Sequence, residues 1–358
     1  MIADRGGAQV GVTASAAPRA AGDGIDVPPE FAQALRELGL AEAGEALLGA
    51  PLAGGVSSDI WRIDTERGSV CAKRALARLR VAADWRAPVD RNRYEARWLE
   101  VANAARPGAA PRLLGQHAGR GILVMTWLAP AEHRLWKTLL RGGDADPAIA
   151  RAVGATLGAI HAWSAARPAL AAQFDSDAIF FAIRLEPYLL AAAHRHADLA
   201  PALEQLVETT RSTKRALVHG DVSPKNILIG PDGPVLVDAE CAWWGDPAFD
   251  IAFCLNHLLL KCVWTPVAAA RFLAAFDALA SAYLDAVDWE PRDAVERRAA
   301  ALLPGLLLAR VDGKSPVEYI DDESDRDLVR RVAAGLLRRP VARLGIVAET
   351  WREALAKR

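Results

Sequence analysis

The sequence predicts an α+β fold built in two parts, a small antiparallel sheet followed by a larger, mainly helical region. Short segments in which apolar and polar residues alternate, such as 59–64 and 69–74, are typical of strands and lie in the first third of the chain. Later, long Ala- and Leu-rich segments with helical periodicity dominate, for example 148–166 and 179–195. Three short apolar runs separated by polar loops interrupt the helices between 216 and 238, which predicts buried strands that carry loops.

Composition limits the classes of function. The 358-residue chain is 52% hydrophobic and 24% charged, so it has enough apolar material for a packed core. Its 43 Lys and Arg nearly balance its 44 Asp and Glu, so overall charge gives no reason to expect nucleic acid or an anionic membrane as partner. The four cysteines lack C-x-x-C spacing, which argues against structural zinc or a disulfide framework. No apolar segment near the N-terminus resembles a secretion signal, and we expect a cytoplasmic protein.

The elements before the composition change can be placed in order. Residues 1–25 are rich in Ala and Gly without periodicity, which predicts a disordered leader. Apolar residues at helical spacing predict a first helix over 28–48 and another over 91–105. Two further strands are predicted at 112–116 and 121–127. This part of the chain therefore reads as a small sheet with one helix packed on it.

The segment 217–229 carries the strongest chemical signal. Asp221 can accept a proton from a substrate hydroxyl, and Asn226, five residues later, can offer an amide oxygen to Mg²⁺. Asp238, at the end of the next predicted strand, can supply a carboxylate to the same ion. Phosphoryl transfer depends mostly on positioning and charge neutralisation, so these three residues around Mg-bound ATP predict that reaction. Each residue alone would fit an ordinary polar turn.

The motif His219-Gly-Asp221 followed by Asn226 resembles the catalytic loop of the small-molecule branch of the protein-kinase-like superfamily. This branch contains aminoglycoside phosphotransferases, choline kinases and methylthioribose kinases. The segment from Gly245 to Asp250, Gly-Asp-Pro-x-x-Asp, is also similar to the branch. The resemblance implies that His219 braces the catalytic loop without acting as the base, and that Asp250 ties the loop to the following helix.

The resemblance implies a bilobal kinase-like fold. The nucleotide-binding lobe would span 26–128, and the helical lobe, spanning 129–358, would carry the catalytic and metal-binding loops and the substrate site. Lys73 on a strand would hold the α- and β-phosphates, and Glu95 on the next helix would fix its ammonium, with Glu100 as the alternative. A small-residue loop would cover the phosphates, and the strand exit at 125–128 would bind adenine through its backbone. The nucleotide-binding residues implied in this way are Lys73, Glu95, Gly55, Ser57, Ser58, Met125 and Trp127.

Several features resemble methylthioribose kinases in particular. Glu240 completes an Asp-x-Glu motif and is a candidate second magnesium ligand, or else a glutamate facing the pocket or the surface. Trp85 lies in a segment similar to the tryptophan-bearing loop of those kinases. Arg310 stands where they place an arginine pair, and it either contacts the acceptor or lies on a helix surface. Asn226 differs from the small hydroxyl residue usual there.

The sequence therefore predicts a kinase that uses ATP and Mg²⁺ to phosphorylate a hydroxyl of a small molecule, with a methylthioribose-like sugar as the first candidate. Aminoglycoside and amino-alcohol (choline-type) kinases are the alternatives, and GTP remains open as the nucleotide. A catalytically silent pseudokinase is the alternative from another class, against which the presence of Asp221, Asn226, Asp238 and Lys73 argues. The expected partner is the acceptor, with no nucleic acid and no membrane, and a homodimer is left open.

Overall fold

The computed structural model describes residues 24–52, 58–76 and 90–358, and it has the predicted α+β fold. An antiparallel sheet comes first and a mainly helical region follows. The strands are β1 (Ile25–Asp26), β2 (Leu48–Pro51), β3 (Ser58–Thr65), β4 (Gly68–Ala75), β5 (Leu113–His117), β6 (Ile122–Thr126), β7 (Arg134–Leu135), β8 (Ala216–Val218), β9 (Ile227–Gly230), β10 (Gly233–Leu236) and β11 (Trp243–Gly245). The helices are α1 (Pro29–Glu37), α2 (Arg91–Ala105), α3 (Trp136–Arg141), α4 (Pro147–Ala165), α5 (Asp177–Phe180), α6 (Ala191–Arg195), α7 (Ala200–Ser212), α8 (Ala248–Trp264), α9 (Ala269–Asp285), α10 (Arg292–Asp312), α11 (Glu323–Arg338) and α12 (Leu344–Ala356).

The first sheet has six strands in the order β1-β2-β3-β4-β6-β5, and every neighbouring pair is antiparallel. Lys73 on β4 lies between Ile60 on β3 and Leu123 on β6, so its position is fixed on both sides. Phe31 and Leu35 on α1 are fully buried in a cluster with residues of one face of the sheet. The central position of β4 gives its lysine a rigid backbone.

The first helix is shorter than predicted. It ends at Glu37, and not near residue 48, because Gly39 has φ of +69° and closes the helix. The N–H of Gly39 donates to the carbonyl of Arg36, and the N–H of Leu40 donates to that of Leu35, which is a Schellman arrangement. The apolar residues that continued the helical spacing instead belong to a loop and to β2. Ile25, which the prediction assigned to the disordered leader, pairs with Gly49 in the sheet, and residues 1–23 lie outside the described ranges.

The predicted helix over 179–195 contains an unpredicted π-helix from Phe181 to Leu190, between α5 and α6. Pro187 lies inside it and lacks the N–H that an α-helical hydrogen bond would need. The π-helix packs against α7 and α10. Its wider turns set the positions of Arg184 and Tyr188, both of which are buried beside the catalytic loop.

The strands inside the helical region form two small sheets. β8 pairs with β11, while β9 pairs with β10 and also with β7, a strand that was not predicted. The predicted catalytic loop, 219–226, joins β8 to β9, and Asp238 follows β10. Both ends of the loop are therefore held by buried strands.

Helix α2 links the sheet to the helical region. Trp98 and Leu99 are fully buried and belong to the same hydrophobic cluster as Leu123 and Met125 of β6 and as the core of α4, α8, α9 and α10. Within the described residues, one helical segment, Pro266–Asp285, is long and apolar enough to cross a membrane, but 61% of its 18-residue apolar window is buried inside the fold. It packs as a core helix does in a soluble protein.

Candidate active site

Asp250, at the start of α8, holds the backbone of the catalytic loop. It is fully buried, and its two carboxylate oxygens accept hydrogen bonds from the N–H groups of His219 at 2.7 Å and Gly220 at 2.8 Å. Gly220 has φ of +79°, and a Cβ there would lie 2.7 Å from the carbonyl oxygen of Cys241. Only glycine fits this turn without displacing its neighbour.

His219 is fixed in one tautomer by its hydrogen bonds. Its Nδ1 accepts from the N–H of Asp221 at 3.1 Å, so the proton lies on Nε2, which donates to the carbonyl of Val237 at 3.1 Å. Burial lowers the pKa of His219 below its usual value, although Asp250 opposes this effect. Both ring nitrogens are occupied, so His219 positions the loop and has no lone pair available to act as a base.

Asp221 is buried between two cations and an amide. Its Oδ2 lies 2.9 Å from an Nη of Arg184 and 3.2 Å from Nζ of Lys225, and it accepts a hydrogen bond of 2.8 Å from Nδ2 of Asn226. Burial alone would raise the pKa of Asp221, but Arg184 and Lys225 lower it below the usual range. The carboxylate therefore stays ionised at neutral pH and is held in one orientation.

Lys73 joins the sheet, α2 and the segment after β10. Its ammonium donates to both carboxylate oxygens of Glu95, at 2.8 and 3.0 Å, and also contacts Asp238. Burial would lower the pKa of Lys73, but the carboxylates of Asp238 and Glu95 raise it instead. Glu100, the alternative partner, is exposed and pairs with Arg97. The structure thus brings Lys73 and Glu95 together, as the sequence predicted.

Asp238 has a backbone conformation that residues other than glycine rarely adopt. Its φ is +66°, and it is the one non-glycine residue with positive φ among the described residues. Such strain costs about 1–3 kcal/mol and persists where the surroundings impose it, commonly at functional sites. Burial would raise the pKa of Asp238, but Lys73 and Lys225 lower it. The residue is held ionised and aimed at the space shared with Lys73.

The donor set suits a magnesium ion that keeps phosphate and water ligands. Asn226 donates through Nδ2, so its amide oxygen points elsewhere, and no hydrogen bond within the described ranges engages that oxygen. Asp238 offers an ionised carboxylate nearby. No cluster of three or more His, Cys, Asp and Glu side chains able to hold a metal occurs in the part of the chain that the structure describes. This pattern fits Mg²⁺, which binds through one or two protein oxygens plus nucleotide phosphates, and does not fit a cage of protein ligands.

Glu240 forms an ion pair that the sequence did not indicate. Its carboxylate accepts from Nε of the fully buried Arg91 at 2.9 Å. Its negative charge also raises the pKa of Lys73, after the larger effects of Asp238 and Glu95. Glu240 therefore lies within the charged cluster of the site and does not lie on the surface.

The remaining nucleotide-binding candidates are described only in part. Ser58 begins β3 and is buried, with no hydrogen bond to its Oγ within these ranges. Met125 is buried in β6, opposite Cys71, and Trp127 follows the strand in a partly exposed position. The predicted residues Gly55, Ser57 and Trp85 lie outside the described residues.

Arg310, the predicted acceptor contact, is buried in α10 and does not lie on a helix surface. Its Nη1 donates to the hydroxyl of Tyr188 at 3.2 Å and to Ser315. The guanidinium carbon lies 5.5 Å from the centre of the Tyr188 ring, and that of Arg184 lies 5.9 Å from it. A chain of contacts thus connects Arg310 to Asp221 through Tyr188 and Arg184.

Sequence reasoning missed Arg184, Lys225 and Arg91. Lys225 lies inside the recognised loop, so its place beside Asp221 could have been inferred from the four-residue spacing. Arg184 comes from the π-helix, 36 residues before the loop residue whose carbonyl it contacts. Arg91 is the first residue of α2, and no local pattern distinguishes it from a surface arginine.

Comparison with known proteins gives a consistent assignment. Residues 49–261 match the model of a phosphotransferase enzyme family, which covers more than half of the chain. The sequence is 26% identical over 263 residues to a methylthioribose kinase of Cronobacter sakazakii, a match that covers 64% of this chain and 65% of that protein. The matches to the first curated relatives span between half and two thirds of their lengths.

Solved structures share the fold. A choline/ethanolamine kinase family protein from Mesorhizobium loti superposes with a TM-score of 0.52 at 17% identity, covering 92% of this chain and all of that one. An amicoumacin kinase in complex with AMP-PNP and Ca²⁺ superposes with a TM-score of 0.50 at 15% identity, covering 87% of this chain and 95% of that one. At such identities the likeness concerns the fold.

Proposed function

The chain belongs to the phosphotransferase enzyme family, and we propose that it is a small-molecule kinase that phosphorylates hydroxyl acceptors, with ATP and Mg²⁺ as its nucleotide and metal. The observation that carries this proposal is the contact of Lys73 with both Glu95 and Asp238, close to the loop of Asp221 and Asn226. These residues provide a cation for phosphates, oxygens for a metal and a carboxylate for the acceptor hydroxyl.

Each residue has a distinct task in this proposal. Lys73, oriented by Glu95, binds the α- and β-phosphates, while Asn226 and Asp238 hold the magnesium ion, with Glu240 as an additional candidate. Bound magnesium would neutralise charge on the phosphates. The division into a nucleotide-binding lobe at 26–128 and a helical lobe at 129–358 remains part of the proposal.

Asp221 would orient the acceptor hydroxyl and accept its proton at the carboxylate. Its lowered pKa makes it a weak base, but a loose transition state needs little base strength early in the reaction. Asn226 and Arg184 keep the carboxylate in place, so the hydroxyl oxygen can be held in line with the γ-phosphorus. Lys225 lies where its ammonium can balance negative charge near the transferred group.

Among the possible acceptors, the positive charges near Asp221 favour a neutral or anionic polyhydroxyl compound, such as a methylthioribose-like sugar. A polycationic aminoglycoside or a choline-type amino alcohol is less favoured. Arg184 and Lys225 contact Asp221 directly, and Arg310 is connected to it through Tyr188 and Arg184. A polycation would have to approach these charges in a partly desolvated cleft, which is unfavourable.

Steady-state kinetics with Mg-ATP tests this preference for a polyhydroxyl acceptor. The four acceptors compared are methylthioribose, ribose, choline and kanamycin. We expect kcat/KM to be highest for a sugar and lowest for kanamycin. Arg310→Gln should lower kcat/KM for the preferred sugar, and Arg338→Gln, a change at a surface arginine paired with Asp198, serves as the control. Efficient phosphorylation of kanamycin that Arg310→Gln leaves unchanged would contradict the proposal.

A further inference from the structure

One face of α8 leads from the catalytic loop to a buried lysine. Asp250, Phe253, His257 and Lys261 follow one another at spacings of three or four residues, so they share a helix face. The guanidinium carbon of Arg184 lies 5.9 Å from the centre of the Phe253 ring, whose edge contact with His257 spans 5.5 Å. This face therefore starts at the residues that hold the catalytic loop and ends at Lys261.

Lys261 is enclosed by aromatic rings. Its side chain is 1% exposed, and its Nζ lies 4.4 Å from the centre of the Trp264 ring and 4.6 Å from that of Tyr319. No ion pair or hydrogen bond of this ammonium occurs among the described residues. A buried lysine is costly unless a negative charge accompanies it, so the site is prepared for an anion that the protein does not itself provide.

Arg310 faces the same region and also lacks a carboxylate partner within the described ranges. Its hydrogen bonds go to neutral groups, the hydroxyl of Tyr188 and the two oxygens of Ser315, while its buried Nε has no partner. The carbonyl of Arg310 accepts from the N–H of Val317 at 2.8 Å, two residues before Tyr319. The segment that covers Arg310 thus also provides one wall around Lys261.

The other charged groups around this region are mostly positive. Lys137 on α3 contacts Glu318, the one carboxylate among the described residues whose charge raises the pKa of Lys261, so this acid is already paired. Lys225 approaches from the catalytic loop and is paired with Asp221, and His257 lies between the cations on α8. Burial and the surrounding cations, Arg310 first, keep the pKa of His257 well below its usual value, so the imidazole is neutral. The region therefore has a net positive charge at neutral pH.

We propose that Lys261 and Arg310 bind an oxyanion of the acceptor, a carboxylate or a phosphate, while its hydroxyl lies at Asp221. The substrate class is then a hydroxy acid, such as a sugar acid, or a sugar phosphate. This inference rests on the proposed function, because it names the acceptor of that same reaction. Cationic acceptors are excluded by the same charges, whereas neutral sugars lack the group that the buried cations require.

The proposal also has a consequence for pH. Burial, together with Lys137, lowers the pKa of Lys261 to about 7, and Glu318 opposes this shift only in part. A bound oxyanion stabilises the protonated lysine, so binding takes up a proton when Lys261 starts neutral. The KM for an anionic acceptor should therefore rise as pH increases above about 7, and this rise should be absent from a variant without Lys261.

The test compares gluconate and ribose 5-phosphate with their uncharged counterparts, sorbitol and ribose, in binding and turnover. The proteins are the wild type, Lys261→Met and Arg310→Gln, with Lys214→Met and Arg338→Gln as controls. Lys214 also lies over a tryptophan, 4.1 Å from the ring of Trp243, but it is partly exposed and paired with Asp177. Affinity for Mg-AMP-PNP is measured separately in every protein.

We expect an anionic compound to bind and to be phosphorylated with at least about tenfold higher kcat/KM than its uncharged counterpart. Lys261→Met and Arg310→Gln should each raise its KM about tenfold or more, since a hydrogen bond to a charged group is lost. Preference for gluconate or for ribose 5-phosphate identifies the oxyanion as a carboxylate or a phosphate.

Absence of binding by both anionic compounds, a preference for the uncharged ones, or KM values unchanged in both variants would overturn the inference. Absence of Mg-AMP-PNP binding by the wild type would instead overturn the proposed function, so the two failures are distinguishable. Because Lys261→Met removes a buried charge, we expect the variant to fold, and its thermal stability provides a check.

Discussion

At the scale of the residue, the site depends on two aspartates that neighbouring cations keep ionised, and the two share one of these cations. Asp221 is held by Arg184 and Lys225, and Asp238 by Lys73 and Lys225. Burial would raise the pKa of each carboxyl group, and in each case the neighbouring cations outweigh it. In the proposed function, Asp221 serves the acceptor and Asp238 the nucleotide, and Lys225 acts on both carboxylates.

The dependence of nucleotide binding on Mg²⁺ should distinguish the role of Asp238 from that of Glu240. Asp238→Ala removes the proposed magnesium ligand and leaves Lys73 paired with Glu95, so we expect Mg²⁺-dependent nucleotide binding to be abolished. Glu240→Gln keeps the size of the side chain and should raise the half-saturating Mg²⁺ concentration several-fold. Titration of Mg²⁺ at fixed ATP measures both effects. An unchanged Mg²⁺ requirement in Glu240→Gln would limit its task to the ion pair with Arg91.

At the scale of the element, the sequence predicted the strands and loops around Asp221 and Asp238 well because their signals are local. Apolar runs of three or four residues and intervening polar turns define β8, β9 and β10. Two features escaped for different reasons, since apolar spacing outweighed a local glycine signal in the first case and the second depends on a long-range contact. Gly39 ended α1 although apolar spacing continued, and the π-helix placed Arg184 beside a loop 36 residues away in sequence.

The catalytic turn offers a direct test at this scale. Gly220→Ala forces a side chain into positive φ and against the carbonyl of Cys241, so we expect the free energy of unfolding to fall by about 1–3 kcal/mol or more and turnover to fall strongly. Gly335→Ala is the matched control, since that exposed glycine lies inside α11 with open space around it. The control should gain up to ~1 kcal/mol and keep full turnover. Chemical denaturation with activity assays checks both, and equal behaviour of the two variants would contradict this account of the turn.

At the scale of the whole molecule, two hydrophobic clusters hold the elements that carry the site residues. The smaller cluster joins α1 to one face of the first sheet, while the larger one contains α2, part of β6 and the core of the helical region. Glu95 on α2 is thus anchored in the same core as Asp250 on α8. The sequence predicted both groups of elements, but which cluster α2 would join depends on tertiary packing that a single sequence does not specify.

The buried charge of Lys261 should be visible in the stability of the whole protein. The folded pKa of about 7 lies below the unfolded value of 10.5, so between these values the unfolded state binds more protons and stability rises with pH. Lys261→Met lacks this dependence. Its stability advantage over the wild type should shrink by about 1.4 kcal/mol for each pH unit between about 8 and 9.5. Urea denaturation of both proteins at several pH values measures the difference, and an advantage independent of pH would contradict the burial of a titrating lysine.

The central claim is that Asp221 serves phosphoryl transfer to a hydroxyl and does not serve nucleotide binding. The measurement is turnover of the preferred acceptor by wild type and Asp221→Asn, together with the affinity of each for Mg-AMP-PNP. Asparagine keeps the shape of the side chain but cannot accept the proton, so we expect turnover to fall about 10²- to 10⁴-fold while nucleotide affinity stays nearly unchanged. Near wild-type turnover in Asp221→Asn, or equal losses of turnover and nucleotide affinity, would contradict the account.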